Sequence, residues 1–281
     1  FKNSKKLQEI VKEVDIKDYV VNILQETLKV TKEEAERLMK LSLKNFILNS
    51  LEMSAIRFLS DDELLDKLRV EGIENLEKAH KLGKGVLIVT GHFGLWEYLT
   101  HWIVLQGYNM TSVARTQKNK YVDEWFKAMR ECHGALITDS GYGLRNILRS
   151  LKQGHFLGLV MDQDSGKSGI FIKFLGKWCS AVQGPSAIAL KTGSPLLPTY
   201  VFPDYKGKHL LKFYPPIFTD KYEKTLEGQQ QLTQDYNMFH EKIVRKYPEQ
   251  WFWLHRRWKT QPEDCPDNPW VNIAKLTLNP T

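Results

Sequence analysis

The stretch Lys84-Gly-Val-Leu-Ile-Val-Thr-Gly-His-Phe-Gly-Leu-Trp-Glu97 decides how the rest of the chain is read. Val86–Thr90 is a short apolar run between glycines, the length and composition of a strand covered on both faces. Apolar residues then recur at helical spacing over Trp96–Gln106, so the stretch reads as strand, turn, helix. The same alternation continues downstream. Met110–Ala114 is followed by Tyr121–Cys132, Leu136–Thr138 by Leu144–Lys152, and then comes Phe156–Met161. A Gly-rich loop, a helix near Pro185–Lys191, the runs Leu196–Phe202 and Leu210–Tyr214, and a helix over Glu227–Arg245 complete the pattern. Strands alternating with helices of this length require crossover connections, which predicts an α/β fold with a mostly parallel central sheet flanked by helices.

Upstream of that stretch, residues 2–80 read as helical throughout. Leu7, Ile10, Val11 and Val14, and later Phe46, Ile47 and Leu51, recur three and four positions apart. Thr31 with Glu34 three residues on has the form of a capping box. Asn45–Leu59 carries too many apolar residues for a narrow stripe, so this helix packs on several sides or meets a membrane or partner. The expected organisation is a helical region over 1–80 packed on an α/β domain over 81–281. The tail, with Pro262, Pro266, Pro269 and Pro280, is expected to wrap the surface.

Composition narrows the class. With 42% hydrophobic and 26% charged residues over 281 positions the chain can build a core, which excludes wholesale disorder. No apolar run approaches the roughly 18 residues of a membrane span. Cys132, Cys179 and Cys265 are an odd number without metal-like spacing, which argues against a disulfide scaffold and fits a reducing compartment. A net charge of +7 points to an anionic partner. Between Gly141 and Pro203 seven basic residues face only Asp162 and Asp164, so the excess concentrates near the expected ligand edge.

Within the opening stretch His92 follows the strand and Glu97 stands early in the helix. A five-residue offset is about 140° around a continuous helix, so the two can converge only if the chain bends, and Gly94 permits a bend. A histidine at a strand's carboxyl end with a carboxylate to fix its tautomer is an oriented general base, and ligands bind at that edge of open α/β sheets. Alternatively, His92 caps a turn and Glu97 is a solvated first-turn carboxylate. Arg115, Asn119 and Arg130 follow the second strand, and Met161-Asp162-Gln163-Asp164 ends the fourth. Ser165–Gly169 lacks the frame of a phosphate-binding loop and precedes an apolar run, which excludes nucleotide binding there. Tyr247–Lys259, YPEQWFWLHRRWK, is either a core edge with arginines reaching outward or a nucleic-acid stacking surface.

Taken in order, these motifs resemble the bacterial lipid A biosynthesis acyltransferase family, the late lauroyl- and myristoyl-type enzymes. The set is GHFGLWE at 91–97, R-x-x-x-N from Arg115 to Asn119, Arg130 with Gly134 after it, and DQD at 162–164. Phe174–Gly176, GPSAIALKTGSPLLP at 184–198 and YPEQWFWLHRRWK at 247–259 complete it. The resemblance covers residues from about 80 to 260.

The resemblance implies His92 as catalytic base with Glu97 as its carboxylate partner, deprotonating an acceptor hydroxyl that attacks a thioester on acyl carrier protein. It implies Arg115 and Arg130 near the site, binding substrate phosphate or a developing oxyanion, with Asn119, Asp162 and Gln163 organising substrate binding. It calls for no metal and no cofactor. The implied partners are acyl carrier protein, an anionic glycolipid and the inner-membrane surface at its cytoplasmic face, with no nucleic acid. A membrane-associating helix is expected to precede Phe1 in the native protein. Leu95 stands where relatives often have Asn, and Thr116 where Pro commonly follows the arginine. Two other readings are a glycerolipid or lysophospholipid acyltransferase, which uses a similar H-x4-D/E motif, and a basic nucleic-acid-binding module built on Trp251, Trp253 and Arg256.

Overall fold

The computed structural model describes residues 16–139 and 144–277. Helices α1 (Ile16–Leu28), α2 (Lys32–Ala55) and α3 (Asp61–Asp66) lead into strand β1 (Leu68–Glu71) and α4 (Ile73–His80). There follow β2 (Val86–Thr90), α5 (Glu97–Leu105), β3 (Met110–Ala114), α6 (Lys120–Glu131), β4 (Leu136–Asp139), α7 (Leu144–Lys152) and β5 (Phe156–Val160). The chain continues through β6 (Ile170–Phe174), β7 (Lys177–Ala181), α8 (Gly184–Thr192), β8 (Leu196–Phe202), β9 (His209–Phe213), α9 (Leu226–Lys246) and α10 (Pro269–Thr277).

Seven strands form one sheet in the order β1-β9-β8-β2-β5-β3-β4. Every neighbouring pair is parallel except β8 with β9. Strand β2 sits at the centre, and the alternation of its side chains divides the interior in two. Val86 and Ile88 enter a cluster with Tyr98, Trp102 and Ile103 of α5, and Leu76 of α4. Leu87 and Val89 enter another with Ile147 of α7, Ile188 of α8 and Tyr236 of α9. A strand buried on both faces reads as an unbroken apolar run, which is why Val86–Thr90 is so plain in the sequence.

Two elements differ from the sequence reading. Residues 2–80 are not helical throughout, because Leu68–Glu71 forms the edge strand β1, parallel to β9 with Leu68 opposite His209. The alternation Leu-Arg-Val-Glu is a strand's, but four residues are too few to separate period 2 from one helical turn. The apolar run after Gly169 is an antiparallel hairpin, β6–β7, outside the main sheet. Leu7, Ile10, Val11 and Val14 lie outside the described residues.

A third cluster sits beside the sheet. Val20, Val21 and Leu24 of α1 meet Phe171 and Phe174 of β6, Trp251, Trp253 and Trp258 of the tail, and Trp270 and Ile273 of α10. The tail therefore contributes core rather than a surface wrap. Thr31 caps α2 by accepting from the Glu34 N–H at 3.2 Å, while the Glu34 carboxylate turns to Arg37. Only half of the expected capping box forms.

Candidate active site

Strand register decides which residues meet at the carboxyl edge. In the parallel pair β2–β5, Thr90 stands opposite Val160. His92 and Asp162 each lie two residues further along, so the register brings them to one level. The contact is direct. His92 Nδ1 is 2.8 Å from Asp162 Oδ1, and the His92 backbone N–H donates to Asp162 Oδ2 at 2.7 Å. Trp251 Nε1–H donates to the same Oδ2 at 2.7 Å. His240 Nε2 stands 3.8 Å from it, and His240 Nδ1 lies 2.9 Å from the Tyr200 hydroxyl. The Asp162 side chain is only 3% exposed, whereas that of His92 is 26% exposed.

The charges follow from this geometry. Burial alone would raise the Asp162 carboxyl, but the His92 ring, its hydrogen bond, the nearby His240 and the Trp251 N–H outweigh it. They hold Asp162 well below the usual carboxylate range. Burial alone would lower His92, but the charge and hydrogen bond of Asp162 prevail, with a smaller push from Glu97, and raise it above its ordinary 6.5. Burial, partly opposed by Asp162, pushes His240 down to about 4, so it stays neutral near pH 7. An ionised Asp162 can only accept, so Nδ1 of His92 carries the proton and Nε2 keeps the lone pair of a base.

Two glycines make the packing fit. A Cβ on Gly91 would stand 2.3 Å from His240 Cε1 and 2.9 Å from Asp162 Oδ2. Gly94 has φ +57°, and a Cβ there would stand 2.0 Å from the Val201 carbonyl oxygen. The segment is also clamped by the tail. Gly94 N–H donates to the Gln250 carbonyl at 3.1 Å and Phe252 N–H to the His92 carbonyl at 3.2 Å.

The expected carboxylate partner of His92, Glu97, is engaged elsewhere. Arg130 of α6 reaches it through Nε at 3.1 Å to both carboxylate oxygens and through Nη2 at 2.7 Å to Oε1. This corrects the pairing. Beyond the Gly94 bend α5 begins at Glu97 itself, and its first turn presents the carboxylate to α6, while Asp162 leaves the adjacent strand at the height of the imidazole.

Arg115 and Arg130 come together. They line one cavity of about 190 Å³ at the exit of β3, with Thr116, Gln117, Lys127 and Ile137 among the other lining residues. Asn119 is the N-cap of α6, its Oδ1 accepting from the Tyr121 and Val122 N–H groups at 3.0 and 3.3 Å, and it does not line that cavity. Gln163 offers its backbone carbonyl to Arg257 Nη1 at 3.3 Å. Asp164 fastens the loop to the tail by accepting from the Thr260 N–H and hydroxyl at 3.2 and 3.0 Å.

Trp251, Trp253 and Arg257 are buried, so the aromatic-basic tail motif is core with one inward arginine and no stacking platform at those tryptophans. Arg257 Nη1 donates to the Ser180 carbonyl. Sequence reasoning missed His240 and Tyr200, which stand in a helix and a buried strand with nothing in their neighbours to mark them.

A histidine whose Nδ1 is held by a buried carboxylate at the ends of adjacent parallel strands, near a cavity lined by Arg115, Lys127, Arg130 and Asp123, has the geometry to accept a proton at Nε2. The profile described as "Bacterial lipid A biosynthesis acyltransferase" matches residues 28–260. The chain belongs to that family, and it is an acyltransferase.

Relatives agree. It is 26% identical over 234 residues to the lipid A biosynthesis palmitoleoyltransferase of Escherichia coli K12, covering 82% of this chain and 74% of that protein. Identity to the lipid A biosynthesis lauroyltransferase of the same organism is 26% over 234 residues, covering 81% and 74%. A phosphatidylinositol mannoside acyltransferase of Mycobacterium tuberculosis is 26% identical over 147 residues, covering 51% and 46%.

Proposed function

We propose that this acyltransferase moves a fatty acyl chain from an acyl-carrier-protein thioester to a hydroxyl of a lipid A precursor or related glycolipid. His92 acts as general base and Asp162 as its positioning partner. The observation that carries this reading is the His92–Asp162 contact at the ends of β2 and β5, in a chain of this family.

The reaction follows from those atoms. His92 Nε2 takes the acceptor hydroxyl proton as its oxygen attacks the thioester carbonyl carbon. The tetrahedral adduct collapses, the C–S bond breaks, and the imidazolium returns its proton to the departing thiolate. Asp162 supports the imidazolium that forms between these steps. Arg130, fixed by Glu97, and Arg115 give the neighbouring cavity the positive charge suited to a phosphorylated sugar. The basic excess over residues 141–203 suits an acidic carrier.

The membrane is met through α2. Its buried side is unusually polar: Ser42 Oγ donates to the Trp251 carbonyl at 2.6 Å, Asn45 Nδ2 to the Glu249 carbonyl at 3.0 Å, and Asn49 Oδ1 accepts from the Tyr205 hydroxyl at 2.7 Å. Its apolar residues Leu43, Ile47 and Leu51 face solvent at four-residue spacing, with Phe58 beyond them and Lys40, Lys44 and Arg57 exposed alongside. An apolar stripe flanked by cations suits an anionic leaflet. Among the described residues no helix is long and apolar enough to cross a membrane. Ile47→Lys with Leu51→Lys should reduce co-sedimentation with anionic vesicles, and unchanged binding would remove α2 from this role.

The test of function is direct. Incubate the protein with acyl-carrier and coenzyme A thioesters of several chain lengths, offer lipid A precursors, phosphoinositol mannosides and glycerophosphates, and weigh the products. Acylated glycolipid from the carrier thioester is expected. Transfer to glycerophosphates alone would contradict the reading.

A further inference from the structure

Behind the Glu97–Arg130 pair lies a cluster of soft donors that acyl transfer does not use. His101 is on α5, four residues after Glu97, and Cys132 and His133 directly follow α6. One ring nitrogen of each histidine and the Cys132 sulfur lie within 4.8 Å of one another. The two imidazoles meet edge to face with centroids 5.1 Å apart.

Two further observations point to a ligand. His101 is fully buried, and neither of its ring nitrogens has a hydrogen-bond partner among the described residues. A buried polar ring is almost always satisfied, so this one calls for a partner of its own. His133 Nδ1 is 2.6 Å from the Asp61 carboxylate at the start of α3. Nε2 makes only a long contact, 3.5 Å to the Ile56 carbonyl, which a bound ion would replace, and the Asp61 contact is the carboxylate–histidine support that metal-bound imidazoles usually have.

We propose that His101, Cys132 and His133 form a binding site for a borderline-soft divalent cation of the zinc class, with Asp61 orienting His133. Two imidazoles and a thiolate are the donors such a cation takes in tetrahedral sites, leaving one position for water. The Cys132 thiol donates to the Met129 carbonyl at 3.0 Å. On binding, the thiol proton passes to solvent and the thiolate takes up the metal. Cys132 is exposed and gives the ion its way in. Arg57 and Arg130 are the nearby cations that oppose the metal, and Asp61 and Glu97 the nearby carboxylates that offset them. The metal would staple α5 to the end of α6, the two helices that carry Glu97 and Arg130. Cysteine spacing conceals such a site, because its donors come from two separate segments and only one is sulfur.

The test uses cobalt and zinc with the whole protein. Titrating Co²⁺ into the reduced protein should give a sulfur-to-cobalt charge-transfer band that saturates at one ion per chain and is displaced by Zn²⁺. Cys132→Ser should abolish the band, and Asp61→Ala should weaken affinity by about 10- to 100-fold. Zn²⁺ should raise the unfolding midpoint of the parent and leave that of Cys132→Ser unchanged. No band, or a band that survives in Cys132→Ser and so arises from Cys179 or Cys265, would overturn the proposal.

Discussion

Two carboxylates stand near His92, and they are bound in opposite ways. Asp162 lies at the end of a strand and collects the imidazole, a backbone N–H and an indole N–H. Glu97 lies at the start of a helix and is forked by one guanidinium. The first arrangement fixes a tautomer and, in the proposed reaction, would stabilise an imidazolium. The second fixes an arginine at the wall of a cavity. Nearness along the chain favours Glu97 as the imidazole's partner, whereas register within the sheet gives that place to Asp162.

Substitutions can break this comparison, beginning with the largest effect. His92→Ala removes the base and should reduce kcat by about 10²- to 10⁴-fold while leaving the fold intact. Transfer retained at most of the parent rate with the cognate pair would end the general-base assignment. Asp162→Ala leaves three donors around a buried hole and should cost about 3–5 kcal/mol in a denaturant titration. Loss below about 1 kcal/mol would mean that Asp162 does not hold the 92–94 segment to the tail. Arg115→Ala has the smallest expected effect. Arg115 is exposed and lines the cavity without touching either carboxylate, so KM for a phosphorylated acceptor should rise about tenfold with kcat kept. A fall in kcat with KM unchanged would move Arg115 from anchoring the acceptor to the reaction itself.

The central strand was legible because Val86–Thr90 is a fully buried apolar run between glycines, and Met110–Ala114 and Leu196–Phe202 stand where the alternation of short runs with helices places them. Strand β1 was not, since four alternating residues carry too little periodicity. His92, Asp162 and Arg130 were legible as polar residues near the carboxyl edge of the sheet. Their pairing was not, because it depends on β2 and β5 being neighbours, and no local pattern states which strands adjoin. His240 shows a further limit: its position beside Asp162 depends on the absence of a side chain at Gly91 and on how α9 packs, both properties of the assembled sheet.

The pH dependence of kcat/KM in Asp162→Asn and Glu97→Gln tests the central claim most directly. If His92 is the base it must be neutral to accept a proton, so the rate should rise with pH through its pKa, which Asp162 holds above 6.5 in the parent. In Asp162→Asn burial remains while the main raising charge is gone, so the ascending limb should move below that of an ordinary histidine and the maximal rate should fall. In Glu97→Gln the limb should move only slightly toward acid. A limb that collapses in Glu97→Gln and stays unchanged in Asp162→Asn would contradict the assignment and return the imidazole to Glu97.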